Sequence, residues 1–147
     1  MCIRDRGHVA GSEIDGRTIS SDLSLEGMLS KKKDFIGKRS LNRTAFLDPE
    51  REKIVGVIPV DKKTMIPEGS HLVSDSNAPL PNPKLGHISA SCWSVEYNNP
   101  FSLAILKDGK KKIGEKLFVL SPLKNKKIEV EIVSSHYVDP KGERVRS

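Results

Sequence analysis

Lys127-Ile128-Glu129-Val130-Glu131-Ile132-Val133 is the stretch that decides the fold. Its aliphatic residues, Ile128, Val130 and Ile132, alternate with Lys127, Glu129 and Glu131, so an extended chain puts them on one face and the charges on the other. That is the signature of a strand buried on one side. Five shorter β-branched or aliphatic runs precede it, at 54–58, 71–73, 87–91, 103–106 and 116–120. Between them lie 59–63, 79–83, 98–100, 108–109 and 122–126, rich in Pro, Asn, Asp and Gly, which bend the chain or cannot pair. Six short strands at this spacing predict a mainly β unit, a barrel or a sandwich.

Upstream of residue 49 the composition changes. The chain is polar, with an Asp15-Gly16 turn and Ser20-Ser21-Asp22 as caps for a short helix over 23–28. A second helix is expected over 35–42. Too few apolar residues lie here for a separate core, so this stretch is expected to pack on something larger. It is also expected to be open to proteases when that neighbour is missing.

The 147 residues suffice for one domain, or one domain and part of another. With 36% hydrophobic and 30% charged residues the chain reads as globular, and the expected compartment is the cytoplasm. No apolar run approaches the roughly 18 residues of a membrane-spanning helix. Cys2 and Cys92 are too far apart, and too few, for a disulfide framework or a zinc motif. Met1-Cys2-Ile3-Arg4-Asp5-Arg6 fits nothing that follows and reads as the translation of a sequencing-library transposon end, so residues 1–6 are set aside as an adapter scar. Cys92 is then the sole thiol and is expected as a small core residue.

Chemical signatures are sparse. The chain has no phosphate-binding loop, no GxGxxG, no paired Cys and no nucleophile elbow. Its four histidines stand apart from one another, which argues against a metal site. Lys110-Lys111-Lys112 follows an Asp-Gly turn and reads as a solvated hairpin tip.

Seven segments, taken in order, carry a resemblance. They are the glycine-bearing stretch 7–18, Lys32-Lys33-Asp34-Phe35-Ile36-Gly37-Lys38, Val55-Gly56-Val57, Glu68-Gly69, Gly86-His87-Ile88-Ser89-Ala90-Ser91, Ile113-Gly114-Glu115 and the stretch 137–144 that opens with Tyr137. Together they resemble the C-terminal end of the alpha subunit of heterotetrameric sarcosine oxidase, a region related to the glycine cleavage T-protein, an aminomethyltransferase, and to dimethylglycine dehydrogenase. The resemblance implies a six-stranded antiparallel barrel of Greek-key or jelly-roll type over 49–144. It makes 7–48 the tail of a preceding, truncated α/β folate-binding domain. It further implies that tetrahydrofolate takes up a one-carbon unit, that flavin and NAD are held elsewhere in the parent complex, and that the beta, gamma and delta subunits and the missing N-terminal part of the same chain are the partners.

The same resemblance places the catalytic aspartate and a folate-binding glutamate upstream of Gly7, so no catalytic residue is assigned within this chain. Cofactor-facing positions fall on Lys33, Lys32 and Tyr137. At Lys33 the T-protein has an arginine, and a lysine replaces its bidentate fork with a point charge. A solvated basic loop explains 31–33 equally well. Gly86 is expected to permit close approach of a neighbouring strand, with 89–91 kept small along a barrel wall or, alternatively, a folate cavity. Trp93 and Tyr97 are expected in a loop, the former lining the core or anchoring an interface. A stand-alone T-protein or a dimethylglycine dehydrogenase fragment remains an alternative. So does a basic RNA-binding barrel, given the sequence pI near 9.4, although few aromatic residues are interleaved with the basic ones, as base stacking requires.

Overall fold

The computed structural model describes residues 13–77, 83–141 and 143. Residues 1–6, the first half of the stretch 7–18 (7–12), residues 79–82 of the expected turn 79–83, and 142 and 144 of the stretch 137–144 lie outside them. Six strands form the body: β1 (Glu52–Pro59), β2 (His71–Val73), β3 (Gly86–Ser94), β4 (Asn99–Lys107), β5 (Lys116–Ser121) and β6 (Lys126–Val133). They close in the order β1-β4-β3-β2-β5-β6, every pair antiparallel. With β2, β3 and β4 consecutive and β1 returning beside β4, the topology is a Greek key. The expected antiparallel barrel is the observed one.

β6 behaves as its alternation requires, with Ile128, Val130 and Ile132 buried and Lys127, Glu129 and Glu131 exposed. β1 does not alternate, because Ile54 through Pro59 are all buried. Its inward residues Val55 and Val57 join the barrel core with Leu72, Ile88, Leu106 and Val119. Its outward Ile54 packs instead with Ile105 of β4 and with Leu23 and Leu25 from the upstream segment. Each of these aliphatic side chains gains about 1.5–3 kcal/mol from burial, so the upstream segment docks on the outer face of β1 and β4.

That segment is less helical than expected. Ser24 at φ 58 and Gly37 at φ 93 lie in the left-handed region, which a right-handed helix cannot contain. What remains are single 3-10 turns at Glu26–Met28 and Lys38–Asn42, followed by α1 (Thr44–Leu47). β3 and β4, by contrast, run longer than expected. Trp93 stands in β3 opposite Pro100 of β4 rather than in a loop. Pro100 is tolerated because β1 pairs with β4 only from Ser102 onward, so at Pro100 the other edge of β4 has no partner strand.

Gly86 answers to its expected role, since a Cβ there would lie 2.2 Å from the Ile105 carbonyl oxygen. The connection from β1 to β2 crosses one end of the barrel and inserts Ile66 as a plug. Among the described residues no helix is long and apolar enough to cross a membrane.

Candidate functional site

The outer face of β1 and β4 is where segments from both sides of the barrel converge. After β6 the chain turns back across β1 at Gly56, where a Cβ would stand 2.5 Å from the Ser134 carbonyl oxygen and 2.7 Å from the Phe101 ring. Only a residue without a side chain permits this crossing. Beyond it Tyr137 stacks on Phe101, centroids 4.9 Å apart with planes inclined by 9°, and meets Tyr97 at 4.6 Å in a tilted pair. Asn99 Nδ2 donates to the Tyr137 hydroxyl at 3.2 Å. Asn99 is itself buried, and its Oδ1 accepts no hydrogen bond among the described residues.

Lys32 and Lys33 stand elsewhere, on an exposed turn upstream of β1. The Lys33 amide donates to Ser30 Oγ at 2.8 Å, and Lys38 Nζ donates to the Lys33 carbonyl and to Asp34 Oδ1. A shallow depression beside them is lined by Asp34, Phe35, Gly37, Lys38, Arg39 and Ser40. Neither lysine ammonium forms an ion pair among the described residues. Among the described residues no side-chain hydrogen bond joins either of them to Tyr137, whose hydroxyl accepts from Asn99.

The charged centre that fastens the upstream segment is Asp22. Its carboxylate accepts from Arg51 at both oxygens, from Lys53 Nζ at 2.9 Å and from the Ile19 amide at 3.1 Å. Arg51 also donates to the carbonyls of Arg17 and Ala45 and lies over the Phe46 ring, 5.4 Å from its centroid. The Asp22 carbonyl in turn accepts from the Ile54 amide at 2.7 Å. Burial pushes the Asp22 carboxyl upward, but the hydrogen bonds from Arg51, Lys53 and Ile19 together outweigh it and hold the group below the usual range. Sequence inspection treats Asp22 as a helix cap. Its partners lie 29 and 31 residues away, a separation no local pattern reveals.

The small-residue wall also takes shape. The register between β3 and β4 shifts at Ser89, which bulges out and bonds the Leu103 carbonyl through its hydroxyl. Ser91 and Ser102 face each other with hydroxyls 2.7 Å apart. Cys92 is half-buried rather than a core residue, because it faces outward beside Phe101. His71 is exposed and lies opposite the half-buried His87. Lys110 bonds Glu26, so the expected hairpin tip instead ties to the upstream segment. Trp93 is exposed and does not line the core.

The chain is similar to three proteins that bear on this arrangement. It is 30% identical over 142 residues to the sarcosine oxidase subunit alpha of Rhizobium meliloti (strain 1021), covering 96% of this chain and 14% of that one. To the same subunit of Corynebacterium sp. (strain P-1) it is 33% identical over 138 residues, covering 92% and 14%. The chain therefore spans about one seventh of the length of these relatives. The crystal structure of the glycine cleavage system aminomethyltransferase T from Bartonella henselae superposes with a TM-score of 0.66 at 21% identity, over 92% of this chain and 37% of that one, so the two share a fold. The profile of the glycine cleavage T-protein C-terminal barrel domain matches residues 52–139, from the first residue of β1 past Tyr137. The six-stranded barrel with its returning tail thus belongs to the glycine cleavage T-protein C-terminal barrel domain family.

Proposed function

We propose that this chain is the C-terminal end of a sarcosine oxidase alpha subunit, where it completes a tetrahydrofolate-binding region that supports oxidative demethylation of sarcosine to glycine. The observation that carries this reading is the reach of the similarity. It extends beyond the barrel through the upstream segment, over 92% or more of the chain, and Asp22 fixes that segment to β1. The barrel and the tail of the folate domain then act as one body.

Lys32 and Lys33 suit the cofactor in their chemistry, since two exposed ammonium groups without ion pairs attract the carboxylates of a folate. Tyr137 sits in a wall already stacked by Phe101, and its contribution is to hold that wall in place. Bound tetrahydrofolate would supply the nitrogens that take up the one-carbon unit. This chain's residues would hold the carboxylate end and help keep water from the cavity. In this reading the catalytic carboxylate, the flavin and the NAD belong to other parts of a cytoplasmic complex with beta, gamma and delta subunits.

A chimera tests the proposal: the chain replaces the corresponding C-terminal part of the Rhizobium meliloti subunit alpha, co-expressed with its partner subunits. Sarcosine oxidation that yields methylenetetrahydrofolate when tetrahydrofolate is present is the expected result. Oxidation that releases formaldehyde regardless of tetrahydrofolate would overturn the reading. The isolated chain is expected to release no peroxide from sarcosine.

A further inference from the structure

Two imidazoles meet where the barrel closes on its shortest strand. His71 of β2 and His87 of β3 are register partners. The Ile88 amide donates to the Ser70 carbonyl at 2.9 Å, which puts Ser70 and Ile88 at a hydrogen-bonded position and the two histidines at the non-hydrogen-bonded one beside it. Side chains stand closest at such positions, with Cβ atoms about 4.5–5.5 Å apart. Leu72 and Ile88 join the barrel core, so both histidines point outward. Apolar residues flank them along the same row, Ile105 beyond His87 and Leu120 beyond His71. Lys127 follows, opposite Leu120, and its ammonium is bonded to Asn77 Oδ1 at 3.2 Å. Among the described residues neither imidazole takes part in a hydrogen bond or an ion pair. His87 Nδ1 is nevertheless buried, and a buried ring nitrogen without a partner is uncommon. The side chain opposite it is another imidazole.

We propose that His71 and His87 together bind a divalent transition-metal cation of the Ni²⁺–Zn²⁺ class, which fastens β2 to β3. A neutral imidazole keeps one ring nitrogen free to act as a ligand, and imidazole suits these cations. Two bonds of about 2.0–2.1 Å to one ion are within reach of rings whose Cβ atoms start about 5 Å apart. No third His, Cys, Asp or Glu joins the pair among the described residues, so water fills the remaining positions and the ion stays exchangeable. The two histidines are distant in the sequence, which is why the sequence alone argues against a metal site. Placement gives the ion a consequence that does not depend on folate. β2 is three residues long and meets β3 at two positions, one of which is this pair. A ligand that binds only the paired strands stabilises them by mass action.

Calorimetric titration of the 147-residue chain with Zn²⁺ alone tests the site. One saturable equivalent is expected, weakened at least tenfold by His71→Ala and by His87→Ala. His136→Ala, Cys2→Ser and Cys92→Ser are expected to bind as the parent does, which separates the pair from the chain's other soft ligands. His71 is exposed, so His71→Ala should keep the fold even where His87→Ala does not, and circular dichroism checks both. Hydrogen exchange supplies a second readout: saturating Zn²⁺ is expected to slow the Leu72 amide at least tenfold in the parent and to leave it unchanged in His71→Ala. Absence of saturable binding, binding retained in His71→Ala, or a Leu72 exchange rate indifferent to Zn²⁺ would each overturn the proposal.

Discussion

The carbonyl oxygen of Ser134 lies directly over Gly56, and a Cβ on Gly56 would come within 2.5 Å of it. The contact is with backbone, which cannot swing aside as a flexible side chain would. Gly56→Ala should therefore push the returning tail off β1 and loosen the Phe101–Tyr137 stack. Overpacking of this kind costs about 1–3 kcal/mol. Urea denaturation should show a lower midpoint, and an unchanged midpoint would contradict the crossing.

Asp22→Ala removes the shared acceptor of Arg51 and Lys53. Breaking a buried ion pair costs about 3–5 kcal/mol when the remaining charge stays unpaired. Here two cations lose one anion, but both are partly exposed and rehydrate. A loss of about 2–3 kcal/mol is expected, below that buried-pair range. Asp22→Asn should retain part of the stability, because the amide oxygen still accepts a hydrogen bond. Thermal denaturation of the three proteins at neutral pH measures the series.

Acid should act through the same residue. The Asp22 carboxyl is held lower in the folded chain than its unfolded value of about 3.9. Its contribution is thus fully present above the unfolded value and disappears as pH falls through the lower, folded one. The stability gap between the wild-type chain and Asp22→Ala should be constant above about pH 5 and narrow steadily below about pH 4. A gap that stays level down to pH 2 would rule out this linkage.

Trypsin should separate the upstream segment into two parts. Lys31, Lys32 and Lys33 are exposed on a turn, whereas Leu23 and Asp22 are buried against the barrel. Cleavage is expected first at 31–33, with the 13–29 stretch remaining bound until Asp22 is replaced. Gel filtration of the nicked protein distinguishes retention from release. Digestion of the whole 13–48 stretch at one rate would mean that no part of it is docked.

Much of the barrel was legible in sequence because its strands obey local rules. β6 alternates, and Gly86 stands at a strand start where a neighbouring backbone crowds in. The beginning of β4 was hidden, since Asn98-Asn99-Pro100 has the composition of a turn and only the absence of a second neighbour admits Pro100 to a strand. The helix expected over 23–28 is interrupted by the left-handed Ser24, next to Leu23, which packs with Ile54 and Ile105 of the barrel. Asp22 with Arg51, Gly56 with Ser134, and Asn99 with Tyr137 are relations between distant positions. They exist only once the sheet has closed, so no spacing rule announces them. Lys32, Lys33 and Tyr137, the positions proposed to face a cofactor, come from the resemblance, and composition alone singles out none of them.

β2 is three residues long and meets β3 at only two positions, yet it completes the ring. A closed ring has no loose border from which to fray, so its first opening falls at its weakest joint. That joint behaves like the clasp of a bracelet. Amide protons of Leu72 and its neighbours should exchange well before those of Val57 or Val130, and a destabilised barrel would unroll there into an open sheet whose exposed border can pair with another chain.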